Sequence, residues 1–227
     1  GIDEEGGDVV RMAEKLTPAP SQKEIGATGD IEQAKTWAIK TAKSLKDMGI
    51  NVNFAPVADV GSNDKRSYST DANTVIDFVR AATKGYQQEN IIYSLKHFPG
   101  IGKGRVDSHV DSSSIDVAKE VLMTEDILPF KTIIDENDSN DYFILVSHLK
   151  YLALDEEYPA SLSSKIMTDL LRNKLGYKGI IITDDMEMGA VANHNDFRSI
   201  GVNAVKAGAD IVLVCHEYKH QQEVYLG

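Results

Sequence analysis

What most narrows the fold of this chain is a rhythm. Six short apolar runs each close on polar chemistry: Gly1-Ile2 at Asp3, Ile50 to Ala55 shortly before Asp59, Ile91 to Leu95 at Lys96-His97, Tyr142 to Val146 at Ser147-His148, Gly179 to Ile182 at Thr183-Asp184-Asp185, and Asp210 to Val214 at Cys215-His216. Amphipathic stretches separate them. Strand-length runs alternating with helices describe successive β-α units around a parallel sheet. In a closed β/α barrel the C-terminal ends of the strands meet on one rim, and that rim carries the active site. An open doubly wound sheet also uses strand ends, but at a switch point between two strands. No G-x-G-x-x-G follows a run and opens a helix here, which weakens the dinucleotide-binding form of that alternative. The expectation is an α/β fold of the TIM-type (β/α) barrel kind, as one domain over residues 1–227. The six strand ends named above are fewer than the eight of a closed barrel, so the barrel is expected to be incomplete at both ends and the natural protein longer.

The intervening stretches carry start and stop signals. Asp30 is placed as N-cap of a helix to about Met48, with Ile31, Ala34, Trp37, Ala38, Ala42 and Leu45 on one side and Gly49 as its stop. A second helix is expected from about Asn73 to Gln88, burying Val75, Ile76, Val79 and Ala82. A helical region from about Thr124 to Glu136 contains Pro129 as a bend or boundary. Ser161 or Ser163 caps a helix through Leu175, and a helix near Phe197 to Ala207 stops at Gly208. Glu5-Gly6-Gly7 reads as a tight turn, and residues 61–71 as a polar loop containing Arg66.

At the middle of the chain stands Lys96-His97-Phe98-Pro99-Gly100-Ile101-Gly102-Lys103-Gly104-Arg105-Val106-Asp107-Ser108-His109. Pro99 with Gly100, Gly102 and Gly104 can neither continue a strand nor begin a helix, so a long loop follows, carrying Asp107 and His109 two positions apart. A carboxylate beside an imidazole can orient the ring and tune it for general acid-base work, although the same letters also describe an ordinary solvated turn. Composition limits the partners. The net charge of −11 argues against nucleic acid and against an anionic membrane surface. No apolar run approaches the ~20 residues needed to span a bilayer. The lone cysteine, Cys215, excludes an intramolecular disulfide and leaves a cytoplasmic and an exported location both open.

Four motifs, taken together and in order, carry a family resemblance. They are Ile2-Asp3-Glu4-Glu5-Gly6-Gly7, Lys96-His97-Phe98-Pro99-Gly100 followed by Asp107-Ser108-His109, Pro159-Ala160-Ser161-Leu162-Ser163, and Gly179-Ile180-Ile181-Ile182-Thr183-Asp184-Asp185-Met186. The chain resembles glycoside hydrolase family 3, in particular its β-N-acetylhexosaminidase branch. The resemblance implies a β/α barrel that hydrolyses terminal β-linked N-acetylglucosamine by a retaining mechanism, on oligosaccharides or on peptidoglycan fragments such as muropeptides, without metal or organic cofactor. It implies Asp184 as nucleophile, His109 as general acid/base and Asp107 as the partner orienting that imidazole. Asp3, Arg11, Arg66, Lys96 and His97 match positions that hold the sugar's hydroxyls, and His148 is a further candidate for the same rim. The residue after the Gly-Gly pair, commonly basic in this branch, is Asp8 here.

The chemistry is consistent with those roles. Retaining hydrolysis needs a nucleophile on one face of the sugar and a proton donor at the leaving oxygen. Asp107 and His109 can supply the donor much as a carboxylate and imidazole cooperate in a hydrolase triad. Each residue also has a plainer reading. Asp184 or Asp185 could cap the following turn, Asp59 could merely start a loop, and Arg66 could be a surface ion-pair partner. Lys96 and His97 face opposite sides of an ideal strand, so joint contact with one sugar requires irregular backbone there. Met186 and Met188 read as packing, and His194, His216 and His220 as rim or surface groups. Three rivals remain: transfer of the sugar to phosphate, a catalytically inactive sugar-binding module, and a metal-dependent barrel hydrolase with His97, His109, His148 and a carboxylate as ligands. None of those three histidines belongs to an H-x-H or H-x-x-x-H pair.

Overall fold

Local signals start the helices of this computed structural model, which describes residues 1–61, 65–103, 114–193 and 196–227. Ser21 and Glu24 form a reciprocal capping box at the head of α1 (Gln22–Ala27). The Asp30 carboxylate accepts from Glu32 N–H at the start of α2 (Ile31–Asp47), and Asp71 accepts from Thr74 N–H ahead of α3 (Ala72–Gln88). Farther along, α4 (Lys119–Val121) runs through a wide π turn (Leu122–Asp126) into α5 (Leu128–Glu136), whose first turn holds Pro129 where a missing N–H costs nothing. The helical region therefore begins before Thr124, and Pro129 is a boundary inside it. Ser163 caps the Lys165–Lys174 helix, its Oγ accepting from Ile166 N–H, while Ser161 is engaged elsewhere. After α6 (Gly189–Ala192), α7 (Phe197–Ala207) is capped by Asp196 and stops at Gly208, where φ is 118°. The final helix α8 (Tyr218–Leu226) buries none of its side chains, so no apolar periodicity announced it.

The strands are β1 (Val52–Asn53), β2 (Ile92–Phe98), β3 (Ser114–Ile115), β4 (Tyr142–Val146), β5 (Lys150–Tyr151) and β6 (Ile180–Thr183). β1, β2, β4 and β6 form one parallel sheet in chain order, and β3 pairs with β5 in a small parallel ribbon. Parallel bridges extend the main sheet at both edges, Ile2 beside Asn53 and Ile211 beside Ile182. All six apolar runs thus lie side by side in sequence order with their C-terminal ends on one rim. A doubly wound sheet would reverse its order at a switch point; this one does not, and the described strands form an open arc of a TIM-type barrel. The runs at 50–55 and 210–214 pair over fewer residues than expected.

Packing fills one end of the sheet with rings and leaves charge for the other. Tyr86, Tyr93, Tyr142 and Tyr177 stack in succession with centroids 6.0, 5.2 and 5.4 Å apart, near the N-terminal ends of β2 and β4. Leu95, Ile144, Val146 and Ile181 continue the core toward the rim, met by Leu45, Val75, Val79, Ile133 and Leu171 from the helices. Each such side chain contributes about 1.5–3 kcal/mol on burial, which fixes the strand ends that carry the polar residues.

Candidate active site

At the end of β2, six polar and charged side chains form a continuous network. Lys96 is 2% exposed, and its Nζ lies 2.6 Å from Asp3 Oδ1 and 2.5 Å from Glu5 Oε1. Glu5 also receives two bonds from Arg66, Nε at 2.9 Å and Nη2 at 2.7 Å. Arg66 Nη2 stands 3.1 Å from His97 Nε2, and His97 Nδ1 stands 2.8 Å from Asp59 Oδ2. Arg66 is therefore a member of the rim and not a stray surface cation. Lys96 and His97 reach the same side because the register with β4 shifts between Leu95 and Phe98; the peptide between them is cis. The irregularity that joint contact required is present.

The electrostatics follow from this pairing. Burial alone would raise the Glu5 carboxyl, but Lys96 and Arg66 bring it from an ordinary 4.5 down to about 2. Burial works against the Lys96 ammonium, and Glu5 with Asp3 more than offsets it, so Lys96 titrates above its ordinary value. Glu5 and Asp59 are the site residues that sequence reasoning missed. In the sequence Asp59 is marked only by its place after an apolar run, and Glu5 reads as part of a Gly-Gly turn. The signal available for Glu5 was a carboxylate immediately after strand residues on the rim.

Two strands farther round, the chain leaves β6 through Asp184 and Asp185. Asp184 N–H donates to Val146 O at 2.9 Å, tying it to β4, and its Oδ1 accepts from Asp185 N–H at 2.9 Å. Among the described residues Oδ2 has no hydrogen-bond partner. Burial raises the Asp184 carboxyl, the Asp185 N–H and the Lys96 ammonium favour its ionised form, and the group lies below its ordinary value. Asp185 does the capping instead: Oδ1 accepts from Glu187 and Cys215 N–H, and Oδ2 meets His216. His148, 2% exposed, is engaged at both ring nitrogens, Nδ1 with Ser161 Oγ at 2.7 Å and Nε2 with the Asp185 carbonyl at 2.8 Å. A carbonyl only accepts, so Nε2 carries the proton and the Ser161 hydroxyl donates to Nδ1. Burial lowers the His148 pKa and keeps this ring neutral.

Not every candidate enters this arrangement. The Arg11 side chain is exposed, and its backbone N–H, together with that of Met12, donates to Glu4 Oε2. Asp107, His109 and His194 lie outside the described residues. The segment leading toward Asp107 is anchored up to its last described residue: Tyr151 Oη donates to Gly100 O, Gly102 presses so closely on the Val60 and Gly61 carbonyls that a Cβ would lie 1.9 Å from one of them, and Lys103 Nζ bonds Glu125 and Asp126 at 2.6 and 2.7 Å. The chain does contain one closely spaced histidine pair, His216-Glu217-Tyr218-Lys219-His220. His216 precedes α8 and pairs with Asp185, whereas His220 pairs with Glu187 at 2.7 Å. Among the described residues no three His, Cys, Asp or Glu side chains converge as a metal site. A concavity of about 700 Å³ between Ser139, Phe143, Arg172 and Lys178 opens at the opposite end of the strands and does not belong to this rim.

Parallel strands in sequence order, with charged side chains gathered at their C-terminal ends, define a TIM-type β/α-barrel protein. Within that class the chain belongs to glycosyl hydrolase family 3: the profile of that family's N-terminal domain matches residues 1–225. Beta-hexosaminidase A of Pseudoalteromonas piscicida is 35% identical, aligning 94% of this chain with 39% of its own length. Beta-hexosaminidase of Haemophilus influenzae is 32% identical over 95% of this chain and 63% of its own. The family 3 beta-N-acetylglucosaminidase from a Paenibacillus species superposes with a TM-score of 0.93 at 35% identity, over 98% of this chain and 43% of that one. The beta-N-acetylglucosaminidase from Thermotoga maritima gives 0.90 at 31%, over 99% and 48%. This chain thus spans less than two thirds of each of these relatives.

Proposed function

We propose that the protein removes terminal β-linked N-acetylglucosamine from oligosaccharides or muropeptides by retaining hydrolysis, with residues 1–227 as its catalytic barrel domain. The observation that carries this reading is Asp184. It sits on a rigid strand end, stays ionised, and keeps one carboxylate oxygen without a partner among the described residues, within the field of the buried Lys96 ammonium. A nucleophile of this kind forms a covalent glycosyl-enzyme. The neighbouring network offers donors and acceptors in fixed positions for sugar hydroxyls, through Asp3, Arg66, Lys96 and His97. Arg11 joins that set by motif alone. Asp107 and His109 are the proposed acid/base pair, and the names of the relatives support the substrate class.

The full-length protein tests the mechanism. His109→Ala should retain glycosylation with an activated phenol leaving group far better than with an ordinary alcohol, since a good leaving group needs little proton donation. Deglycosylation would then limit turnover, and azide should restore it with the β-glycosyl azide as product. An α-configured product by proton NMR, or equal loss on both substrates without rescue, refutes these roles. Formation of the sugar 1-phosphate in phosphate buffer would identify a phosphorylase instead.

A further inference from the structure

We infer that Asp59 is a positioning residue: it selects the tautomer of His97 and through that ring holds Arg66 on the rim. The inference rests on the reading of this rim as a sugar site. Asp59 is 2% exposed, and both of its oxygens are committed. Oδ1 accepts from two backbone donors, His97 N–H at 3.1 Å and Ile101 N–H at 2.9 Å, which fixes the carboxylate across the exit from β2. Oδ2 then faces His97 Nδ1 at 2.8 Å. A carboxylate in this state only accepts, so Nδ1 carries the proton. On the other edge of the ring Arg66 Nη2 lies 3.1 Å from Nε2. A guanidinium only donates, so Nε2 presents its lone pair. The two partners agree on a single state, a neutral ring protonated at Nδ1.

That state has a consequence for the whole network. A neutral ring adds no third cation beside Lys96 and Arg66, and its Nε2 lone pair takes one Nη2 hydrogen while Glu5 takes the other. The guanidinium is thereby pinned from two directions, which a bond to Glu5 alone would not achieve. Asp59 itself is not among the positions assigned to substrate, and its bonds go to His97 and Ile101, so its effect passes through them.

The isosteric change Asp59→Asn inverts the arrangement. The amide oxygen must stay on the two backbone donors, because turning the NH2 toward them would set donors against donors. The NH2 then points at His97 Nδ1, which has to accept, and the proton moves to Nε2. There it confronts the Arg66 N–H, and Arg66 is displaced.

Nitrogen-15 NMR of the ligand-free, full-length protein near neutral pH, with His97 assigned by its loss in His97→Gln, reads the tautomer directly. The wild type should show a protonated Nδ1 and a bare Nε2, and Asp59→Asn the reverse. With Arg66 displaced, KM for an N-acetylglucosaminide should rise about tenfold or more with a smaller change in kcat, as for loss of a charge-assisted hydrogen bond to bound substrate. A wild-type His97 protonated at Nε2, alone or with Nδ1, overturns the inference even if the variant fails to fold. An unchanged tautomer in folded Asp59→Asn overturns control by Asp59. A reversed tautomer with unchanged KM supports that control and refutes the sugar-binding reading of the rim.

Discussion

The two halves of the rim treat charge in opposite ways. Around the end of β2, Asp3, Lys96, Glu5, Arg66, His97 and Asp59 alternate in sign or polarity, each meeting a partner at hydrogen-bond distance. At the end of β6 the neighbouring imidazole is neutral, Asp185 is consumed by backbone donors, and Asp184 keeps an oxygen uncommitted among the described residues. Under the proposed function the difference separates holding from reacting. A group that must stay put is safest when saturated, because a buried charge with an empty side is costly. A group that must attack carbon has to keep a lone pair available while its own backbone is fixed.

The comparison is broken most sharply at Asp184. Asp184→Ala should lower kcat on the order of 10⁴-fold or more, the scale seen when a covalent nucleophile is removed, while sugar binding persists in calorimetry. If Asp184→Ala and Asp185→Ala lose equal activity, the division of labour between the adjacent carboxylates is wrong.

Next in size is the saturated half. Glu5→Gln removes the buried carboxylate charge that Lys96 and Arg66 share, and should cost about 3 kcal/mol in urea unfolding, as breaking a buried ion pair does. The pH dependence has a definite sign. Because Glu5 is depressed in the folded protein, its stabilisation is complete above its ordinary 4.5 and is lost as pH falls from there through about 2. Glu5→Gln should flatten the stability profile inside that acid window and leave its slope above pH 6 unchanged.

His148→Ala sharpens the comparison from the other side. It strands the Ser161 hydroxyl and the Asp185 carbonyl and should cost about 2 kcal/mol, with kcat falling more than KM changes because the turn bearing Asp184 loosens. A KM effect alone would instead make His148 a substrate contact. The smallest effect belongs to Asp185→Asn. Its amide oxygen can still accept from Glu187 and Cys215, and the lost partner His216 is exposed, so stability should change by about 1 kcal/mol or less and kcat by only a few-fold.

Much was readable from the chain alone, for physical reasons that are local. Asp30, Gly49 and Gly208 mark helix ends because a cap acts on residues a turn away. The six apolar runs indicate the strand order, since successive β-α units usually lie beside one another in a parallel sheet. The motifs singled out Lys96, His97 and Asp184. Helix α8, whose exposed side chains carry no amphipathic signal, was not readable, nor was the earlier start at Lys119.

Tertiary structure alone decided who meets whom on the rim. Glu5 and Arg66 are 61 positions apart, and Asp59 and His97 are 38 apart. No periodicity or propensity encodes such pairs, because their bonds exist only once four strands lie side by side and desolvation makes each unpaired charge expensive. For the same reason a loop-start aspartate became the buried partner of His97, and of two adjacent aspartates only one keeps an oxygen without a partner among the described residues.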